Sequence, residues 1–127
     1  MGSLTAAGAT PTLCRVGIYS VDGSGNLTLV ASIANNTTMR VATNTAYARN
    51  LSATWSNVAG TRYAVGTLCA TSATAPQIAG QILEFQPSGR PHTPTDRFLS
   101  GQTDLRSSAS AGSILDSAAG IYVEMIP

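Results

Sequence analysis

The sequence contains no lysine, and charged residues of all kinds occupy only 10% of its 127 positions. An average soluble domain has about 25%. Seven arginines against six acidic residues leave a net charge of +1, which excludes a general attraction to nucleic acid or to an anionic membrane. The arginines are spread along the chain without clusters, so the sequence predicts no nucleic-acid partner.

Long apolar runs are missing as well. No stretch reaches the length of about 18 apolar residues that a membrane-spanning helix needs, so we expect no membrane insertion. The N-terminal segment MGSLTAAG has neither the basic residues nor the apolar core of a secretory signal. The sequence therefore predicts neither a membrane anchor nor a signal peptide.

Residues that could carry chemistry are scarce. His92 is the only histidine, and its neighbours Pro91 and Pro94 are typical of a loop. General acid–base catalysis needs a base with an orienting partner, and no such pattern surrounds it. The carboxylates are scattered, so turn and cap positions are the expected roles, although the two acids of a glycosidase can be distant in sequence. We predict no enzyme activity, no cofactor and no metal site.

The two cysteines, Cys14 and Cys69, lie in the two strongest predicted strands. A β-sandwich could place them opposite each other across the core, where a disulfide would form. The alternative is a pair of buried free thiols that pack as small apolar side chains. Because no secretory signal is present, we favour free thiols.

Small residues dominate what is present. Alanine, threonine, serine and glycine together account for 61 of the 127 positions, and 43% of the chain is hydrophobic. This apolar content is organised in strands, which indicates a folded domain with a hydroxyl-rich surface. We expect residues 1–12 to be a flexible lead-in and residues 13–127 to form one domain.

A hairpin is the strongest local prediction. Residues 13–21 and 27–33 are rich in β-branched and apolar residues, and the turn signal DGSGN at 22–26 separates them. Side chains alternate between the two faces of a strand. In the first strand this places Cys14, Val16 and Ile18 on one face and Arg15, Gly17 and Tyr19 on the other. In the second strand it predicts one shared face for Leu27, Leu29, Ala31 and Ile33.

Further strands recur with turn signals between them. Strands are predicted at 61–70, 77–85, 97–103 and 121–126, with a minor strand at 39–42 and an alternating segment at 45–55. Turns are predicted at 57–60 and 71–76, a loop at 86–96, and a loop with one helical turn at 104–117. The near-continuous apolar character of 61–70 favours a central position. The pattern is typical of an all-β fold, an antiparallel β-sandwich that is jelly-roll-like and forms a single domain.

With no pattern for catalysis, metal binding or nucleic-acid binding, the sequence favours a role in ligand binding or in assembly. Sugar-binding surfaces use an exposed aromatic ring beside polar neighbours, whereas core or edge packing is the alternative role for Trp55 and Tyr63. Outward-facing aromatic residues can also contact a second copy of the chain. The candidate ligand or interface contacts are Tyr19, Tyr47, Trp55, Arg90 and His92.

Three segments, 6–39, 44–68 and 93–105, carry a resemblance to a known family. Their most specific motifs are AGTRYAVG at 59–66 and SGQTDL at 100–105. Together they resemble the β-sandwich domains of minor tail proteins from tailed phages that infect actinobacteria. Arginine without lysine fits a GC-rich coding genome and agrees with such a source. The motifs belong to strands and turns, so they imply a fold and a virion location rather than a catalytic site.

The resemblance implies a virion protein of the peripheral phage tail, assembled in the host cytoplasm with other virion proteins. Such domains often form homotrimers and are thought to adhere to the host cell envelope, whose glycans are the implied ligand. Related domains usually have further strands before the position of Leu13, so either the chain is a fragment or a neighbouring chain completes the sheet. Two alternatives remain: a purely structural or decorating domain on tail or capsid, and a carbohydrate-binding module of a cell-wall enzyme.

Overall fold

The computed structural model describes residues 4–6, 10–39, 41–42, 45, 47–73, 77–78, 80–82, 97–116 and 119–121. Within these residues the chain is all-β, and every strand pairing is antiparallel. The strands are β1 (Leu4–Ala6), β2 (Pro11–Val21), β3 (Leu27–Ser32), β4 (Arg62–Thr71), β5 (Gln77–Ile78), β6 (Gly80–Ile82), β7 (Arg97–Phe98), β8 (Ser108–Ala109), β9 (Leu115–Asp116) and β10 (Ala119–Ile121).

A four-stranded sheet in the order β4-β2-β3-β8 forms the centre of the described fold. Three two-stranded pairs accompany it: β1 with β5, β10 with β6, and β7 with β9. The all-β prediction is confirmed at this level. The expected central position of 61–70 is wrong for the described sheet, because β4 lies at the end of its order while β2 has β4 and β3 on its two sides.

The predicted hairpin is confirmed as β2, a turn and β3. The Asp22 carboxylate organises the turn: Oδ1 accepts from the backbone N–H groups of Ser24 at 2.8 Å and Asn26 at 2.9 Å, and Oδ2 accepts from the side-chain amide of Asn26 at 2.8 Å. These bonds, the Asn26 side-chain amide first, hold the pKa of Asp22 below its usual value. Gly25 has a φ of +85°, which glycine adopts without strain.

A bulge at Val30 corrects the predicted faces of β3. Leu29 pairs with Tyr19, whereas Ala31 pairs with Ile18, so one residue of β3 has no counterpart in β2. Residues directly opposite in an antiparallel pair point to the same side. Leu29 and Ala31 therefore lie on opposite faces of the sheet, and the prediction of one shared face is wrong.

One face of the sheet carries the main core. Its buried residues are Cys14, Val16, Ile33 and Met39, with Tyr47, Leu51, Val65 and Cys69 packed against them. The chain after β3 crosses this face without forming a strand in its described residues: Met39 lies in a turn, positions 41 and 42 in a bend, and 47–51 in irregular chain. The strand predicted at 39–42 is therefore not formed by its described residues, although Met39 is only 1% exposed.

Cys14 and Cys69 form a disulfide, so the expectation of free thiols is wrong. The two residues are direct partners in the β2–β4 register, and their Cα atoms are 4.2 Å apart. The bond therefore joins neighbouring strands of one sheet instead of crossing a sandwich core. The sequence could not predict this bond, because pairing depends on the register of strands whose cysteines are 55 positions apart.

The opposite face is covered from the C-terminal half of the chain. Tyr19 packs over Gly17 and Gly66, and the Leu105 side chain approaches Gly17 from the segment after β7. Arg15 anchors this segment, because its Nη1 donates to both carboxylate oxygens of Asp104 at 3.0 Å. Both faces of β2 are therefore covered, which explains its consecutive buried residues from Val16 to Tyr19.

The remaining predictions meet the structure only in part. The helical turn expected within 104–117 is confirmed as a 3-10 turn at Ala111–Ser113, and the turn at 57–60 is confirmed by the Thr61 N–H donating to the Val58 carbonyl. Residues 97–103 form a strand only at β7, and β1 lies inside the predicted lead-in. The loop predicted at 86–96 and the end of the chain after Ile121 lie outside the described residues.

Candidate functional site

Trp55 lies in the segment that crosses the core face of the sheet from β3 towards β4. The segment is tied to β3 by the Ser52 N–H, which donates to the Ser32 carbonyl at 2.9 Å. At its other end the Val58 N–H donates to the hydroxyl of Tyr63 at 2.9 Å. Between these two bonds the Trp55 ring packs edge-on against Tyr63, with centroids 5.0 Å apart and an interplanar angle of 84°. The indole is thereby held in one place without being buried.

A cleft of about 180 Å³ opens between β3 and this segment. It is lined by Val30, Ala31, Ser32, Ser52, Ala53, Thr54 and Trp55. The lining residues carry no charge, and they combine one large aromatic ring with the hydroxyls of Ser52 and Thr54 and small apolar side chains. The third hydroxyl, that of Ser32, accepts from Arg15 Nη2 at 3.1 Å. The small residues beside Trp55 leave this space open.

The chemistry of this cleft suits a neutral polar ring better than a charged or fully apolar ligand. An aromatic face or edge packs against aliphatic C–H groups, and serine and threonine hydroxyls both donate and accept hydrogen bonds. Val30 adds an apolar side chain that is 39% exposed at the rim. A saccharide ring presents C–H faces and hydroxyl edges that match these groups.

A second depression, of about 440 Å³, lies where the β2–β3 turn meets the start of β4. We call it the hairpin hollow; its lining residues are Ser20, Val21, Asp22, Gly23, Gly60, Thr61 and Arg62. The two sides meet because Val21 pairs with Arg62 in the β2–β4 register. Arg62 Nη2 donates to the backbone carbonyl of Asp22 at 3.2 Å and bridges them.

Of the predicted contact residues, Trp55 lies in a cleft. Tyr19 is only 6% exposed, and burial raises the pKa of its phenol. Its ring covers glycines of two strands, so Tyr19 is a packing residue in this structure and is left out of the site.

Tyr47 is half-buried and packs against the core cluster. Its hydroxyl accepts from the Ala42 N–H at 2.9 Å, and the Arg49 guanidinium lies 5.9 Å from the ring centroid. These contacts hold the chain that follows Met39 and do not bring Tyr47 into the Trp55 cleft. Arg90 and His92 lie outside the described residues.

The sequence did not indicate the hairpin hollow. The motif DGSGN at 22–26 and the residues 57–60 predict only turns, and the structure has a turn at each place. One signal was available in the sequence. Each turn borders a predicted strand and contains a glycine, Gly23 or Gly60, and Arg62 stands near the start of the strand that follows the second turn. That signal becomes specific only when the register is known.

Among the described residues, no three histidine, cysteine or acidic side chains come together in a way that could hold a metal ion. No helix in the described ranges is long and apolar enough to cross a membrane. Comparison with known protein families, curated protein sequences and solved structures finds no match.

Proposed function

We propose that this chain is a non-enzymatic virion domain of a tailed phage, located in the peripheral tail, that assembles as a homotrimer and adheres to glycans of the host envelope. The source and location rest on the sequence resemblance of segments 6–39, 44–68 and 93–105. In this proposal the described antiparallel sheet is one layer of a jelly-roll-like sandwich. The low charge suits a surface that binds neutral glycan and packs against other virion proteins.

The observation that carries the adhesion part is the Trp55 cleft. Trp55, which packs against Tyr63, and the hydroxyls of Ser52 and Thr54 offer stacking and hydrogen bonding together in a depression whose lining residues carry no charge. Adhesion would then come from weak single contacts multiplied by the copies in an oligomer, which raises avidity without new contacts.

The test uses the fact that Trp55 is the only tryptophan in the chain. Fluorescently labelled protein is incubated with intact actinobacterial cells, and Trp55 emission is followed while envelope oligosaccharides are titrated. We expect cell binding and a saturable change in emission. Replacing Trp55→Ala should lower binding by about tenfold or more, because stacking on an aromatic side chain is lost.

Two further variants separate binding from folding. Ala53→Leu fills the cleft and leaves Trp55 in place, so it should also lower binding. Val58→Ala, in the same segment but 64% exposed and outside the cleft, should bind as the parent protein does. Wild-type protein that fails to bind cells at micromolar concentration, or Trp55→Ala that binds unchanged, contradicts the proposal.

The same measurements distinguish the two alternatives. A strict monomer that binds purified glycan favours a carbohydrate-binding module. A protein that joins the virion but binds neither cells nor glycan favours a structural or decorating domain.

A further inference from the structure

We propose that the hairpin hollow binds an oxyanion, the carboxylate or phosphate group of an acidic saccharide, with Arg62 as its charged partner. The site is separate from the Trp55 cleft. The oxyanion site is argued from the geometry of the hollow, and only the saccharide nature of the ligand rests on the proposed function.

The first argument concerns the charges that line the hollow. Asp22 would repel an anion if its carboxylate faced the ligand freely. Both of its oxygens are instead engaged by donors of the turn itself, from Ser24 and from the backbone and side chain of Asn26. These neutral donors hold both oxygens within the turn and leave the carboxylate its charge, so Arg62 is the group of the hollow that attracts an anion.

Arg62, by contrast, has donors to spare. Its side chain makes one bond in the described structure, from Nη2 to the Asp22 carbonyl, and that carbonyl also accepts from the Gly25 N–H. Among the described residues the ion pair within 4.0 Å joins Arg15 to Asp104 and does not involve Arg62. A guanidinium has several N–H donors in a planar fork that matches a carboxylate or phosphate in two-point contact.

The shape of the hollow agrees with this role. Gly23 and Gly60 leave the backbone accessible on both sides, because a Cβ built at either position would meet nothing within 4 Å. Gly60 also has a φ of +79°, which favours glycine at this position. The Thr61 hydroxyl lines the same space and can donate to a second oxygen of the ligand, whereas the Ser20 hydroxyl donates to the Thr28 carbonyl at 3.4 Å.

The experiment uses three sugars of one ring size: glucuronic acid, glucose 6-phosphate and glucose. Each is titrated into the full chain while backbone amide shifts are followed by NMR. We expect at least one of the two acids to shift the amides of Gly23, Gly60 and Thr61, and glucose at equal concentration to leave them unchanged. The tighter acid identifies the group that the hollow prefers, a carboxylate or a phosphate.

Arg62→Gln should weaken binding of that acid by about tenfold or more, because a charge-assisted contact is removed. Arg106→Gln removes an equal charge from an exposed arginine that bonds to Gln102 outside the hollow, and it should bind as the parent does. The inference is overturned if neither acid shifts these amides, if glucose shifts them equally, or if the two variants lose the same affinity.

This result is independent of the adhesion test. Shifts at residues 52–55 with neutral envelope oligosaccharides report on the Trp55 cleft, and shifts at 20–23 and 60–62 report on the hollow. Trp55→Ala should leave the binding of the acid unchanged. Loss of one response with retention of the other therefore identifies which of the two proposals has failed.

Discussion

The contact of Tyr19 with two glycines shows how single residues determine this sheet. Gly17 and Gly66 are opposite each other in β2 and β4. The Tyr19 ring occupies the space that a side chain at Gly66 would need, and at Gly17 it shares that space with Leu29 and Leu105. An aromatic side chain that covers glycines restores the packing that a residue without a Cβ lacks. Tyr19 thereby covers the paired strands on the face away from the core cluster.

Replacing Gly66→Ala should destabilise the protein. The new Cβ would lie 2.8 Å from Cε2 of Tyr19, and the buried ring has little room to move. We expect the free energy of unfolding to fall by about 1–3 kcal/mol, measured by denaturant titration. Gly112→Ala is the matched control, since a Cβ there meets nothing within 4 Å. A Gly66→Ala protein as stable as the parent would show that the Tyr19 ring is free to shift.

The β2–β4 pair is the element on which the sheet depends. It has the longest register in the structure, from Pro11 opposite Thr71 to Val21 opposite Arg62. The Cys14–Cys69 disulfide lies within it, and Cys14 is fully buried. The bond constrains a long loop in the unfolded chain, so its contribution to stability is expected to be large.

Removing the disulfide should cost about 4 kcal/mol of unfolding free energy, since the cysteines are 55 positions apart. The measurement compares denaturant unfolding of the oxidised protein with that of the double variant Cys14→Ala, Cys69→Ala. A reducing agent should destabilise the parent and leave the double variant unchanged. Equal stability of all three samples would mean that the bond adds nothing to the fold.

Elements with a complete local signal could be predicted from the sequence. The β2–β3 hairpin has a turn motif between two apolar strands, and it forms where the sequence indicates. The segment 45–55 alternates as a strand would, yet its described residues form none, because Tyr47 and Leu51 reach the core from irregular chain. The bulge at Val30 has no signal in the sequence, since register is decided by pairing across strands.

The same distinction applies to the candidate sites. Trp55 could be selected as a contact residue because it is the only tryptophan in a chain with few aromatics. Its cleft could not be predicted, because it depends on how Ser52 bonds to Ser32 in β3. The hairpin hollow exists only because the β2–β4 register places Val21 opposite Arg62 and so brings two turns together.

At the scale of the whole molecule, the proposed function includes assembly of more than one copy. The homotrimer is implied by the family resemblance, and assembly would multiply the Trp55 clefts that a host surface meets. Size-exclusion chromatography with light scattering should give a particle three times the 13.0 kDa mass of one chain. A monomer across the micromolar range would contradict trimeric assembly by this chain alone, and cell binding by that monomer would separate adhesion from oligomerisation.

The place of β2 between β3 and β4 has a consequence for the order of folding. The β2–β3 hairpin closes across a short turn, which is a fast local event. The β2–β4 pairing must close a much longer loop that includes Met39, Tyr47 and Trp55, and such closure is slower because more chain entropy is lost first. We therefore expect the hairpin to form first and to act as a template. The hairpin hollow needs Arg62 of β4, so it should form only in the later step, when β4 docks onto the hairpin.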